Sequence, residues 1–322
     1  MLFRSPDFAT NPFNGAPPTF EQALRVTGRD AAPQGISSAN LHLPYSWQTS
    51  IGVQRQIGQT VAFNADYVYT GTRSDSNSRN ANLSYNPATG ANYPYSDVSK
   101  RPYPTWGRIT TLYSEGSSAY HGLQTAFTKR LNHNWQASAT YTLSGFYSTD
   151  GAAQGPCWAA GVFSPCPAGF KVTPDVGGDS SFASADQRHR AVFSGIWQLP
   201  YSFQLSGLYF FSSGVRRSTS YGADLRDRGS SSGRLRPDGS IIPRNPFVGL
   251  PLHRVDFRLL KKFAIAGNVK VDGIFEMFNV FNHANYGTYT TSESSAAYGK
   301  PQTDPNVAYQ PRMLQLGFRV AL

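Results

Sequence analysis

The chain has 322 residues, of which 15% are charged, 39% hydrophobic and 14% aromatic, with 18 Tyr, 21 Phe, 30 Gly and 22 Pro. So many aromatics exclude a disordered chain, and the lack of an Ala/Leu/Glu/Lys helical pattern excludes a bundle. The net charge is +10, but Lys and Arg are scattered rather than blocked, so nucleic acid is not expected as a partner.

No apolar run approaches the ~18 residues of a membrane helix. The start, Met1 to Asp7, has neither the apolar stretch nor the cleavage site of a secretory signal. Residues 1–45 read as an external loop segment, and residues 46–322 carry the periodic signal.

That signal is period-2 alternation over lengths that can cross a bilayer as strands, about 9–11 residues. From Ser46 to Gly58, Trp47, Thr49, Ile51, Val53 and Ile57 alternate with Gln48, Ser50, Gly52, Gln54 and Gln56. After a short turn, Val61, Phe63, Ala65, Tyr67 and Tyr69 alternate with Ala62, Asn64, Asp66, Val68 and Thr70. Arg108 to Leu131 reads as one long strand, followed by a turn at 132–134 and a strand from Trp135 to Ser144. Arg190 to Leu199 and Phe203 to Phe211 form a further pair around Pro200-Tyr201. Arg254 to Leu259 and Val269 to Met277 form another, and Arg312 to Leu322 is the last strand.

Side chains on a strand alternate between faces. Here the polar positions are Gln, Ser, Thr and Asn rather than the Lys/Glu mix of a soluble surface, and Trp and Tyr gather toward strand ends. Both features belong to a membrane barrel with an apolar outer face and aromatic girdles. Short turns at 58–60, 132–134, 200–201 and 264–268 alternate with long polar stretches at 71–118, 146–187, 213–251 and 280–310. Short periplasmic turns and long external loops have this arrangement. The expected fold is therefore all-β: an antiparallel transmembrane outer-membrane β-barrel, with about nine strands. Bacterial single-chain barrels close with an even number. An odd count, and a start without a signal peptide, read as part of a larger barrel.

The final residues Gln315, Gly317, Val320 and Leu322 resemble the signal read by the outer-membrane assembly machinery, although an aromatic residue is usual where Leu322 stands. Ser118-Ala119-Tyr120-His121-Gly122-Leu123-Gln124, Ala185-Asp186-Gln187-Arg188-His189-Arg190 and Phe275-Glu276-Met277-Phe278-Asn279-Val280-Phe281-Asn282-His283 resemble the C-terminal barrel of TonB-dependent receptors. So do Arg244-Asn245-Pro246-Phe247 and Asp256-Phe257-Arg258-Leu259-Leu260-Lys261. The resemblance is nearest to the Oar-like branch, which carries a carboxypeptidase-regulatory-like domain. It implies a barrel of about 22 strands closed by a plug, energised through a coupling protein that contacts the N-terminal part. It also implies that this chain supplies barrel wall and ligand-capturing external loops.

Cys157 and Cys166, the only cysteines, share one predicted external loop and are expected to form a disulfide. The six histidines, at 42, 121, 133, 189, 253 and 283, have no zinc-site spacing, and His189 is expected to hydrogen-bond at the membrane boundary. Arg188, Arg190, Arg254, Asp256, Arg258, Lys270, Asp272 and Glu276 are expected to face the lumen as a charged ladder. No phosphate loop or nucleophile elbow occurs, so neither catalysis nor a cofactor is expected. Outer-membrane lipid is an expected partner, and the loop composition suits a polar ligand such as a glycan or peptide. Two other readings are a surface-adhesion barrel and a soluble β-sandwich binding module. The latter predicts solubility without detergent and no segregation of loop length by end.

Overall fold

A computed structural model describes residues 36–37, 41–149, 158–159, 162–163, 180–266, 269–304, 306 and 309–321. Nine long strands dominate: β1 (Tyr45–Ile57), β2 (Val61–Asn80), β3 (Thr110–Asn132), β4 (Trp135–Ser148), β5 (His189–Leu199), β6 (Phe203–Ser212), β7 (Leu252–Ala266), β8 (Val269–Phe278) and β9 (Met313–Ala321). Each pairs antiparallel with its neighbours in chain order, so the sheet is a meander from β1 to β9. Two short strands join its rim. Ile36–Ser37 runs parallel to β3, and Ser181–Phe182 pairs with β4.

The alternation decides the register. A one-residue slip would move every apolar side chain to the other face. In the observed register Ile51 faces Tyr67, Tyr67 faces Leu123, and Leu123 faces Leu143. At the other end of the sheet Phe275 faces both Leu259 and Leu316. One face is thus apolar from edge to edge. Ile51, Phe193, Trp197, Leu316 and Phe318 on it are exposed, and among the described residues no second sheet covers it. The sandwich reading fails on that point, because a sandwich buries such a face against another sheet.

The sheet is open. β1 and β9 are its two edges, and all thirteen residues of β1 are exposed. The short connections close tightly. Asn132 pairs with Trp135, and the two residues between them, His133 and Asn134, have φ of 52° and 66°. Two positive φ values make a type I′ turn, whose twist matches that of a hairpin.

One boundary differs from the sequence expectation. The stretch 71–118 is not all loop, because β2 continues to Asn80 and β3 starts at Thr110. Thr, Ser and Asn in these strand extensions offer no apolar alternation to read, yet their backbones stay paired. The hairpin therefore projects well past the polar end of the apolar face.

Many of the buried side chains gather in this projecting region and the loops beside it, with others, such as Ala191, Leu260 and Asp272, on the sheet strands. Asn77, Ala81, Asn82, Leu83, Ile109, Tyr113, Arg228 and Ile242 are all buried.

Candidate functional site

The apolar face carries a polar belt at each end. At the long-loop end, Tyr67 Oη lies 2.7 Å from His121 Nδ1, Tyr141 Oη 2.9 Å from His189 Nδ1, and Tyr209 Oη 3.0 Å from His253 Nδ1. The same diagonal pair recurs on every second strand. Its height is level once strand tilt is included. His121 faces Gly145 of β4, His189 faces Leu143, and His253 faces Phe211, whose ladder row runs through Ala191 to Tyr141. Each pair thus steps two residues along β4 per two strands, the stagger that tilted barrel strands require.

At the short-turn end the belt is cationic. Lys129 Nζ lies 3.8 Å from the Trp135 ring centroid and donates to the Asn132 and Trp135 carbonyls, both at 2.9 Å. Lys261 lies 4.5 Å from the Phe203 ring and donates to the Tyr201 carbonyl. Both ammonium groups turn away from the apolar band, as snorkelling side chains do. His121 to Lys129 and His253 to Lys261 are each eight residues. At about 3.3 Å per residue and a tilt of about 40°, that is roughly 20 Å along the membrane normal. The apolar band of an outer-membrane barrel is about 25 Å tall, so the belts bracket one lipid layer.

The opposite face carries the charged groups. The ladder puts Arg258 across from Glu276, and Asp272 across from both Lys262 and Arg319. Arg319 Nη2 donates to Asp272 Oδ2 at 2.5 Å, and Arg258 Nε lies 3.7 Å from Glu276 Oε1. Arg254 Nε donates to both Asp256 oxygens, at 2.8 and 2.9 Å, while Asn279 N donates to Asp256 Oδ1 at 2.8 Å. These charges form three separate pairs along the face, Arg254 with Asp256, Arg258 with Glu276, and Asp272 with Arg319 of β9.

The remaining predicted charges lie elsewhere on that face. Arg188 and Arg190 rest over the Phe182 and Phe210 rings, each at 5.4 Å, not against carboxylates. Lys270 is exposed at the short-turn end. Sequence reasoning missed Arg319, the partner of Asp272, because its register across β8 cannot be read from spacing. It also missed the buried Asp186, which accepts from Phe146 N at 2.7 Å and pairs with Arg216 at 3.5 Å. Gln315 and Gly317 lie on β9 facing Glu276 and Ile274, and Val320 points with Leu316 and Phe318 to the apolar face. Leu322, Cys157 and Cys166 lie outside the described residues.

Beyond the Tyr–His belt, loops 81–109, 213–251 and 279–312 knit into a cap. Asn82, fully buried, donates through Nδ2 to the carbonyls of Tyr103, Trp106 and Gly107, and accepts from Tyr103 N. Its own loop is closed by these bonds. The next loop reaches back across the sheet to it. Tyr95 N donates to Asp227 O at 2.7 Å, Asn92 Nδ2 donates to Arg226 O at 2.8 Å, and Ser96 Oγ bonds the Asp227 carboxylate. The third loop joins through Glu293 N to Ser220 O at 2.9 Å, and through Arg236, whose Nε and Nη2 donate to Glu293 at 2.6 and 2.8 Å. That hydrogen bond holds the Glu293 carboxyl below the usual range, with the Arg236 charge adding to it against partial burial.

The sequence profile of the family described as outer membrane beta barrel domain matches residues 3–240 and 239–315. A search of curated proteins finds no match. Solved structures of similar shape include the FrpB iron transporter of Neisseria meningitidis (14% identity, TM-score 0.44, covering 92% of this chain and 33% of that one). Two come from Escherichia coli. The ferric-catecholate import receptor Fiu has 12% identity and a TM-score of 0.47, covering 89% of this chain and 30% of that one. The outer membrane transporter YddB has 13% identity and a TM-score of 0.44, covering 78% and 31%. The chain spans about a third of the length of these structures. With its profile match over most of its length, the chain belongs to the outer membrane beta barrel domain family, and its place is the outer membrane.

Proposed function

We propose that this chain forms the C-terminal wall of a TonB-dependent receptor, of the Oar-like branch, and that its cap loops capture the ligand. The observation that carries the reading is the cap. Three loops from different hairpins are bonded to one another at the end opposite the short turns, above the charged face. A barrel that only anchored itself in lipid would need no such cross-linked loops. The motif order across β3, β5 and β8 supports the receptor branch.

In this reading the ligand is polar, a glycan or a peptide, and is bound and passed inward without covalent change. Arg254, Arg258, Asp272 and Glu276 would face the plug and the ligand path. Energy would arrive from a coupling protein acting on the N-terminal part of the receptor.

An antibody raised against this segment tests the proposal on outer-membrane fractions of the native cell. A band several-fold heavier than the 322-residue chain is expected. A band of the chain's own size would show a barrel wall without plug or coupling region, and the receptor reading would fall.

A further inference from the structure

A small cavity of about 30 Å³ opens where the β2–β3 projection meets the second cap loop. Its walls include Arg79, Arg108 and Arg228, with Asn80, Tyr85 and Tyr113. Arg228 is only 4% exposed and Tyr113 only 2%. The Arg79 guanidinium lies 5.1 Å from the Tyr113 ring centroid, which holds it over the cavity wall. No carboxylate is among the described residues that line it.

Two buried donors on this wall, Arg108 Nε and Asn80 Nδ2, have no hydrogen-bond partner among the described residues. The orientation of the Asn80 amide is determined by its neighbours. Its Oδ1 accepts from Asn82 N at 3.0 Å and from Ile109 N at 3.2 Å. Turning the amide over would set two N–H groups against an NH₂ group, so Nδ2 stays a donor. The Arg108 guanidinium and two unfilled donors, Arg108 Nε and Asn80 Nδ2, around a space of this size call for an acceptor that carries negative charge. By the ~10–15 Å³ that one water needs, the space holds one compact group.

We propose that this cavity binds an oxyanion, the carboxylate or phosphate group of the captured ligand. Arg108 Nε and Asn80 Nδ2 donate to its oxygens, and the Arg108 guanidinium supplies the charge. The role given to the oxyanion rests on the reading of the cap as a ligand trap, whereas its binding does not.

The test is equilibrium binding of two probes, inorganic phosphate and acetate, to the native full-length product purified in detergent, with folding checked by heat-modifiable gel mobility. Saturable binding of at least one probe, with one site per chain, is expected, and the tighter probe identifies the group. Arg108→Gln is expected to weaken it at least tenfold. Asn80→Asp keeps the acceptor for Asn82 N and Ile109 N but replaces the donor with a negative charge, and is expected to abolish binding. Arg130→Gln, at the other end of β3, is the control and is expected to leave binding unchanged. Should Arg108→Gln not fold, Asn80→Asp decides alone. Absence of saturable binding for both probes, or full binding by folded Asn80→Asp, overturns the proposal. A heavy native product without probe binding would remove the oxyanion site and leave the receptor reading intact. Probe binding with a native product of the chain's own size would do the reverse.

Discussion

Glu293 and Arg236 join loops that arise from different hairpins, so their pairing is a local switch on the cap. The Arg236 hydrogen bond lowers the Glu293 pKa. A depressed carboxyl contributes stability above its unfolded value, about 4.3, and loses it as pH falls through the folded value. As pH falls below that unfolded value, loops 213–251 and 279–312 should exchange amide hydrogens faster, after correction for intrinsic rates. Glu293→Gln should show the same loosening already at pH 7, and equal protection in variant and parent would refute the coupling. Asn279 sets a second case. It is 1% exposed with φ of 49°, and its Nδ2 donates to the His283 and Gln310 carbonyls while Oδ1 accepts from His283 N. Replacement by Ala would strand these buried groups, at about 1–3 kcal/mol for each one left unpaired. Urea unfolding in lipid vesicles should show a loss of about 2–3 kcal/mol, and an unchanged midpoint would contradict the hydrogen-bond account.

At the scale of the strand, the two belts define where lipid begins and ends. Phe193 lies midway between His189 and Trp197 on the apolar face, whereas Ser194 points to the other. Phe193→Arg should cost about 2–4 kcal/mol, the range for a cation at the bilayer midplane, and Ser194→Arg far less. Equal costs would mean that the face assignment is wrong. The strands and faces were legible in sequence because a half-exposed sheet writes its faces as alternation. Leu314 to Val320 shows it without a break, and Trp47 to Ile57 with the single exception of Arg55 on the apolar face. The outer parts of β2 and β3 were not legible, since Ser76 to Asn80 alternate nothing. Long-range partners were hidden for another reason. Spacing puts Asp272 and Glu276 on one face, but only the pairing of β8 with β9 brings Arg319 to Asp272. The cap hub at Asn82 was likewise invisible, because an Asn in a polar loop looks like any other.

The whole molecule is a sheet with two open edges and a bonded cap. In lipid, unpaired backbone groups cost several kcal/mol each, and β1 presents a full edge of thirteen residues. The chain expressed alone should therefore not give a monomeric heat-modifiable barrel, and a sharp, monomeric, heat-shifted band would contradict this. The central claim is the orientation: apolar face in lipid, bonded loops outside, short turns inside. It is tested most directly by cysteine labelling of intact cells that make the native full-length product, with Cys157 and Cys166 replaced by Ser. One single-cysteine variant carries Ala88→Cys in the first cap loop and another carries Gln59→Cys in the first short turn, both exposed positions. A membrane-impermeant maleimide should label the first variant on intact cells and the second only after lysis. Labelling of Gln59→Cys on intact cells, with Ala88→Cys protected until lysis, would contradict the account.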